Sequence, residues 1–237
     1  ISYRLVGSEM CIRDSPRRFA WIMARICKAL AHVHGLQDAS GQPLNVIHRD
    51  VSLSNIILTQ SGVPKLLDFG IARWEQQTSA TTVGTIKGKF NYFAPEQFSE
   101  KIDHRVDIYQ VGVCLYWLCV GKRPFQALLD RVGGDIKRPG EIVEGFPVEL
   151  EAIILKALAA NPDKRYQTAD ELSDALMGYV DGACEERVLA AWIADTFKGN
   201  IPMMAPSNTG LSSSVSLSTS SSSGVVFPPV SSERSGG

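Results

Sequence analysis

The sequence predicts an α+β fold, mainly helical, with a small β-loop platform between its helices. Three observations carry that prediction. A helix-period segment comes first, short β-type runs broken by a turn follow between residues 46 and 67, and beyond them only helical patterns recur. Phe19, Ile22, Met23, Ile26, Leu30 and Val33 repeat at three- and four-residue spacing, as in an amphipathic helix. Ser15 suits its N-cap, Pro16 its first position and Gly35 its stop. Gln37 to Pro43 is a polar loop. Val46-Ile47, Ile56-Ile57-Leu58 and Lys65-Leu66-Leu67 are β-type runs, and Ser61-Gly62 reads as a hairpin turn between the last two. Val106 to Val120 is apolar nearly all round and so predicts a buried helix. Leu150 to Ala159 and Ala169 to Val180 are amphipathic, with Asn161-Pro162-Asp163 as the break between them. Thr168 and Glu171 form a capping box for the second. Val188 to Phe197 is a further helix candidate.

Composition narrows the function classes. The chain has 237 residues, 44% of them hydrophobic, enough for a substantial core. Its net charge of −1 gives no electrostatic case for nucleic-acid binding. No apolar run approaches the roughly 18 residues of a membrane-spanning helix, and Ile1 to Ser15 is too polar for a signal peptide. The five cysteines (Cys11, Cys27, Cys114, Cys119, Cys184) are odd in number and lack metal-type pairing, which fits a reduced, cytoplasmic setting. Cys114 and Cys119 read as small core residues. Residues 1–15 show no steady period and do not lead into the helical pattern that starts at Pro16. Thirteen of the 31 residues from Ser207 to Gly237 are serine, so residues 201–237 read as a disordered tail.

The chemistry concentrates in the platform. His48-Arg49-Asp50 is followed, after four residues, by Asn55, and thirteen residues later comes Asp68-Phe69-Gly70. Ala94-Pro95-Glu96, Asp107, the Gly121-Lys122-Arg123-Pro124-Phe125 turn and Arg165 follow in order. Each motif alone is weak, and Asp50 or Asn55 taken singly would be an ordinary turn residue. Together, at this spacing, they resemble a eukaryotic-type, bacterial-like serine/threonine protein kinase over its large C-terminal lobe, residues 16–182.

That resemblance implies ATP-dependent phosphoryl transfer to protein hydroxyls, with ATP and Mg²⁺ as cofactors and a protein as substrate. It gives Asp50 the task of accepting the hydroxyl proton, and Asn55 and Asp68 that of holding Mg²⁺ through oxygen. His48 and Phe69 are expected as packing elements beneath the site, followed by Gly70. Asp107 is expected to accept backbone N–H bonds from the catalytic loop, because an unpaired carboxylate on a buried helix would be expensive. Glu96 and Arg165 are expected to form an ion pair, and Arg49 to meet a phosphate on the activation segment. Thr78, Ser79, Thr81, Thr82 and Thr85 are the available acceptors, and equally plain loop hydroxyls. His32, His34 and His104 lack metal spacing and read as surface or helix-end residues.

The sequence departs from the family pattern at three positions. Ser52 stands where the lysine after the catalytic aspartate is usual, Leu53 replaces proline, and Lys89 occupies the threonine position before Ala94-Pro95-Glu96. The swap suggests that Lys89 reaches in to supply the charge for the γ-phosphate while Ser52 supplies the hydroxyl. No Gly-x-Gly-x-x-Gly and no Val-Ala-Ile-Lys strand precede His48. The expectation is therefore a chain without the family's N-terminal lobe, residues 1–15 being a foreign start to a truncated frame, and with impaired turnover. Residues 183–200 are expected as an accessory helix, docked on the lobe in preference to binding a partner. A catalytically silent docking module is the alternative, against which Asp50, Asn55 and Asp68 all stand. Ala94-Pro95-Glu96 weighs against a small-molecule kinase.

Overall fold

A computed structural model describes residues 2–4 (backbone only), 16–68, 90–98, 102–125, 136–182 and 186–196. All lie in one unit, Ile1–Met203. Helix α1 spans Pro16–His34 and buries the predicted stripe, from Phe19 through Ile22, Met23 and Ile26 to Leu30. It closes with the Gly35 N–H on the Ala31 carbonyl at 3.0 Å. In the polar loop beyond, the Asp38 carboxylate accepts from the Ser40 and Gln42 amides at 2.7 and 2.9 Å, an Asx-type turn.

The sheet has three strands in the order β1 (Ser2–Arg4), β2 (Ile56–Thr59) and β3 (Pro64–Leu66). β2 and β3 form the predicted antiparallel hairpin, with Ile56 opposite Leu66 and Leu58 opposite Pro64. β1 is not anticipated in the sequence. Its three residues pair antiparallel with Ile57, Leu58 and Thr59, a stretch too short to display a period-2 pattern. The β-type run at Val46-Ile47 forms no strand. The backbone there turns into the loop that begins at His48, through left-handed conformations at Asn45 (φ 48°) and Arg49 (φ 64°), and the loop's amides bond to side chains.

Helix α2 (Arg105–Val120) is buried on nearly every face, as its uninterrupted apolar text requires, and ends at Gly121 in the left-handed region (φ 74°). A four-residue helix, α3, spans Pro139–Ile142. α4 runs Val148–Ala157, two residues earlier than the periodicity suggests, because the chain tightens after Ala157 with the Ala159 amide on the Lys156 carbonyl. Asn161 caps a single turn at Pro162–Lys164 through its side chain. α5 spans Ala169–Val180, and Thr168 accepts from the Glu171 amide at 3.0 Å. The return bond from the Glu171 carboxylate goes to the Gln167 amide at 2.8 Å, not to Thr168, so only half of the predicted box forms. α6 runs Glu186–Thr196 and sinks Leu189 and Ile193 into the common core.

α1 packs on α5 and α2, α2 on α4, and the Ser173 hydroxyl ties α5 to the Ala24 carbonyl at 3.0 Å. Cys27, Cys114 and Cys119 are buried free thiols whose pKa values are pushed up by burial, which makes them inert packing groups. Among the described residues no helix is long and apolar enough to cross a membrane.

Candidate active site

Two polar side chains one turn apart on α2 hold the loop from His48 to Asn55. Asp107 is fully buried in the first turn of α2. Its Oδ2 accepts from the His48 amide and its Oδ1 from the Arg49 amide, each at 2.8 Å. Gln110, equally buried, accepts the Val51 amide at 2.9 Å and donates to the Arg49 carbonyl at 3.1 Å. Arg49 thus has both backbone groups fixed while its φ lies at +64°, a conformation costing a non-glycine residue on the order of 1 kcal/mol. The surrounding bonds over-determine the strained turn.

That turn aims Asp50 and Asn55 at one another. Asp50 is 9% exposed and Asn55 5%. The Asn55 Nδ2 donates to the Asp50 carbonyl at 2.8 Å and to its Oδ2 at 3.0 Å. With both amide protons used, the Asn55 side-chain oxygen is the atom left to meet a cation. Ser52 lies buried two residues along, its Oγ 2.9 Å from that of Ser54. The hairpin returns the chain to Asn55 just before the third group. The Asn55 carbonyl accepts the Leu67 amide at 2.8 Å, and Asp68 follows immediately, exposed and left-handed (φ 55°), as aspartate tolerates better than most residues.

His48 lies beneath. Its Nε2 meets the Leu67 carbonyl at 3.1 Å, and because a carbonyl only accepts, that nitrogen carries the proton. Nδ1 is then free to accept the Asp50 amide at 3.3 Å, the arrangement of a neutral imidazole. Burial lowers its pKa, and the Asp107 charge opposes that most strongly. His34 is a helix-end residue as expected, the last of α1; its side chain is only 9% exposed and its Nε2 lies 2.9 Å from Asp107 Oδ2, adding a third donor to that carboxylate. His104 donates to the Gln167 carbonyl at 2.8 Å, and His32 is exposed.

The Ala94-Pro95-Glu96 turn joins the same framework. Arg165 is 2% exposed. Its two terminal nitrogens bond the Glu96 carboxylate side by side, Nη2 to Oε2 at 2.8 Å and Nη1 to Oε1. The remaining three N–H groups go to the Ala159, Ala160 and Arg105 carbonyls at 2.7, 3.1 and 3.1 Å, so all five donors are used. Gln97 accepts the Ala94 amide at 2.7 Å and the Gln110 side-chain amide at 3.1 Å, linking this turn to the loop at 48–51. Sequence reasoning missed Gln97, Gln110 and His34. Gln110 had a usable signal, a polar residue three positions after Asp107 on an otherwise apolar helix; the other two had none. Phe69, Gly70, Thr78, Ser79, Thr81, Thr82, Thr85 and Lys89 lie outside the described residues.

Chemically, the assembly offers a shielded carboxylate beside an amide oxygen and a second carboxylate. Such an all-oxygen set suits Mg²⁺, which favours few protein ligands and shares the rest of its shell with phosphate and water. The donors present therefore fit the cation that the motif resemblance implies.

Comparison with known proteins agrees. The sequence matches the protein kinase domain family over residues 6–177. It is 44% identical over 162 residues to the tyrosine-protein kinase MasK of Myxococcus xanthus, covering 65% of this chain and 25% of that protein. It is 37% identical over 179 residues to the serine/threonine-protein kinase PknB of Mycolicibacterium smegmatis, covering 71% of this chain and 27% of that protein. Identity to the PknB of Mycobacterium tuberculosis is 34% over 177 residues, again 71% of this chain and 27% of the relative. The chain spans about a quarter of the length of these bacterial relatives. By the extent of the family match and the motifs it carries, the chain belongs to the protein kinase family.

Proposed function

We propose that the chain carries the large-lobe half of a cytoplasmic kinase that transfers the γ-phosphate of ATP to serine or threonine hydroxyls of proteins. The observation that supports this most directly is the paired Asp50 and Asn55, locked in a strained loop beside the hairpin end that bears Asp68. In this reading Asp50 orients the acceptor hydroxyl and takes its proton as the new bond forms. Asn55 and Asp68 hold the cation through oxygen. When bound, Mg²⁺ neutralises the phosphate charge that would otherwise repel the nucleophile. Asp107 and Gln110 keep the loop in place without touching the reacting atoms. Arg49 meets an activation-segment phosphate on one of Thr78, Ser79, Thr81, Thr82 or Thr85.

Residues 16–182 form the lobe in this reading, and 183–200 an accessory helix before the tail. Residues 1–47 contain neither a glycine-rich phosphate loop nor a strand lysine, so phosphotransfer by these 237 residues alone is expected to be weak. The acceptor has a second reading, since one relative is a tyrosine-protein kinase and others are serine/threonine-protein kinases.

Radiolabelled ATP and phosphoamino-acid analysis separate these readings in a chain that includes the upstream lobe. Label on serine and threonine, reduced about a hundredfold or more in Asp50→Asn, is the expected result. Label on tyrosine would replace the acceptor assignment. Label undiminished in Asp50→Asn would remove the base, and no label at all would favour a silent docking module. In the same assay Lys89→Ala should lower turnover about tenfold or more if Lys89 supplies γ-phosphate charge in place of the lysine absent at Ser52; a change under about threefold would exclude that role.

A further inference from the structure

We propose that α6 and Gly62 position the cation-holding pair: the helix, seated on the tip of the β2–β3 hairpin, fixes the hairpin whose base carries Asn55 and Asp68. This rests on the reading of Asn55 and Asp68 as the residues that hold the cation.

The contact is backbone against backbone. A Cβ placed on Gly62 would run into the Glu186 carbonyl oxygen and come within 2.9 Å of the Ala190 amide nitrogen. Glu186 and Ala190 are one turn apart on α6, so the hairpin tip abuts the helix itself, which cannot yield as a flexible side chain would. Gly62 also holds φ at +84°. The helix is anchored in the core beside this contact. Leu189 and Ile193, one turn apart, are 0% and 1% exposed. The Arg25 guanidinium of α1 lies 3.5 Å from Glu186 Oε1, and that of Arg18 stands 5.8 Å from the Trp192 ring centroid.

The hairpin can transmit this constraint but cannot supply it. Strands of four and three residues are marginal on their own and need a packing partner. Their tip is tightly bonded: the Thr59 amide meets the Val63 carbonyl at 3.0 Å, the Gly62 amide the Thr59 carbonyl at 2.9 Å, and the Val63 amide Thr59 Oγ1 at 2.9 Å. About 13 Å away, at four strand residues of rise, the Leu67 amide closes the base on the Asn55 carbonyl. A tilt at the tip therefore becomes a change in the spacing of Asn55 and Asp68. A segment beyond the last helix of the lobe core thereby acts on the cation site.

Hydrogen exchange on the 237-residue chain tests the coupling without requiring turnover. Two variants act from opposite sides: Leu189→Asp with Ile193→Asp undocks the helix, and Gly62→Asn keeps a residue tolerant of positive φ while adding the obstructing Cβ. Both should speed exchange of the Leu67 amide about tenfold or more, with Ile26 and Ile108 changing less than twofold. Added to the undocked variant, Gly62→Asn should contribute less than twofold. Half-saturation by Mn²⁺ in the presence of ADP, read by water-proton relaxation, should rise at least fivefold in both. An unchanged Leu67 amide, or an opened one with unaltered Mn²⁺ binding, would overturn the proposal. A chain that includes the upstream lobe and binds Mn²⁺ and ADP but never transfers phosphate would instead count against the phosphotransfer reading.

Discussion

Helix α1 is tied to two other helices by side-chain pairs of nearly equal length. Near its middle, Lys28 Nζ reaches Asp170 and Asp174 of α5 at 2.8 and 3.0 Å; at its end, His34 Nε2 reaches Asp107 of α2 at 2.9 Å. The distances do not tell the pairs apart, but the surroundings do. The Lys28 cluster is 47% to 73% exposed, whereas Asp107 is fully covered and its partner nearly so. Water screens the first pair and competes for its groups. In the second, each donor answers a lone pair that would otherwise be stranded in the protein interior. Burial rather than proximity decides which pair shapes the site.

Removing the buried acceptor should therefore have the largest effect. Asp107→Ala leaves the His48 and Arg49 amides without their partner and releases the strained turn at Arg49. A loss on the order of 4 kcal/mol in urea unfolding is expected, together with loss of phosphotransfer. A loss below about 1 kcal/mol would mean that water or neighbouring groups replace the carboxylate.

Arg165 sharpens the contrast within the ion pairs. Arg165→Ala removes the two-point grip on the Glu96 carboxylate and the donors to three carbonyls, and about 3 kcal/mol of destabilisation should follow. Arg165→Lys keeps the charge but has three donors for five positions, so it should recover only part of the loss. Full recovery by lysine would show that charge alone, without the planar fork, holds the Glu96 turn.

The same contrast explains what was legible in the sequence. The long helices were, because α1 and α5 alternate apolar and polar faces and α2 is apolar throughout; so was the hairpin, from Ser61-Gly62. Asp50, Asn55, Asp68, Asp107, Glu96 and Arg165 stood out by order and spacing. β1 was not legible, being three residues whose identity as a strand depends on β2. Val46-Ile47 misled because β-type residues there lead into a loop whose amides are claimed by Asp107. His34, Gln97 and Gln110 act through neighbours 73, 13 and 59–61 residues away, contacts that local pattern cannot carry.

Acidification should act through His48. Burial holds its pKa below the ordinary imidazole value, so the unfolded chain takes up a proton first as pH falls. The associated stability is complete above the unfolded pKa and is lost as pH drops toward the folded one. Urea midpoints should therefore fall between about pH 7 and about pH 5, and the fall should shrink in His48→Phe when each variant is compared with itself. An equal slope in both would assign the acid sensitivity to other groups.

The smallest effect should come from the exposed counterpart. The two aspartates raise the pKa of the Lys28 ammonium through direct hydrogen bonds, yet that shift describes a group on the solvent-facing surface. Two long-range bonds on the surface restrict a flexible side chain, and the entropy lost offsets most of what the charges gain. Lys28→Met should leave the urea midpoint unchanged within error at physiological salt, because the methylene stem still covers α5 while the charge is gone. Any separation of the two curves should appear only at low ionic strength and close as salt is added. A midpoint shift that survives in about 1 M salt would place the Lys28 cluster with Asp107 among the interactions that organise the fold.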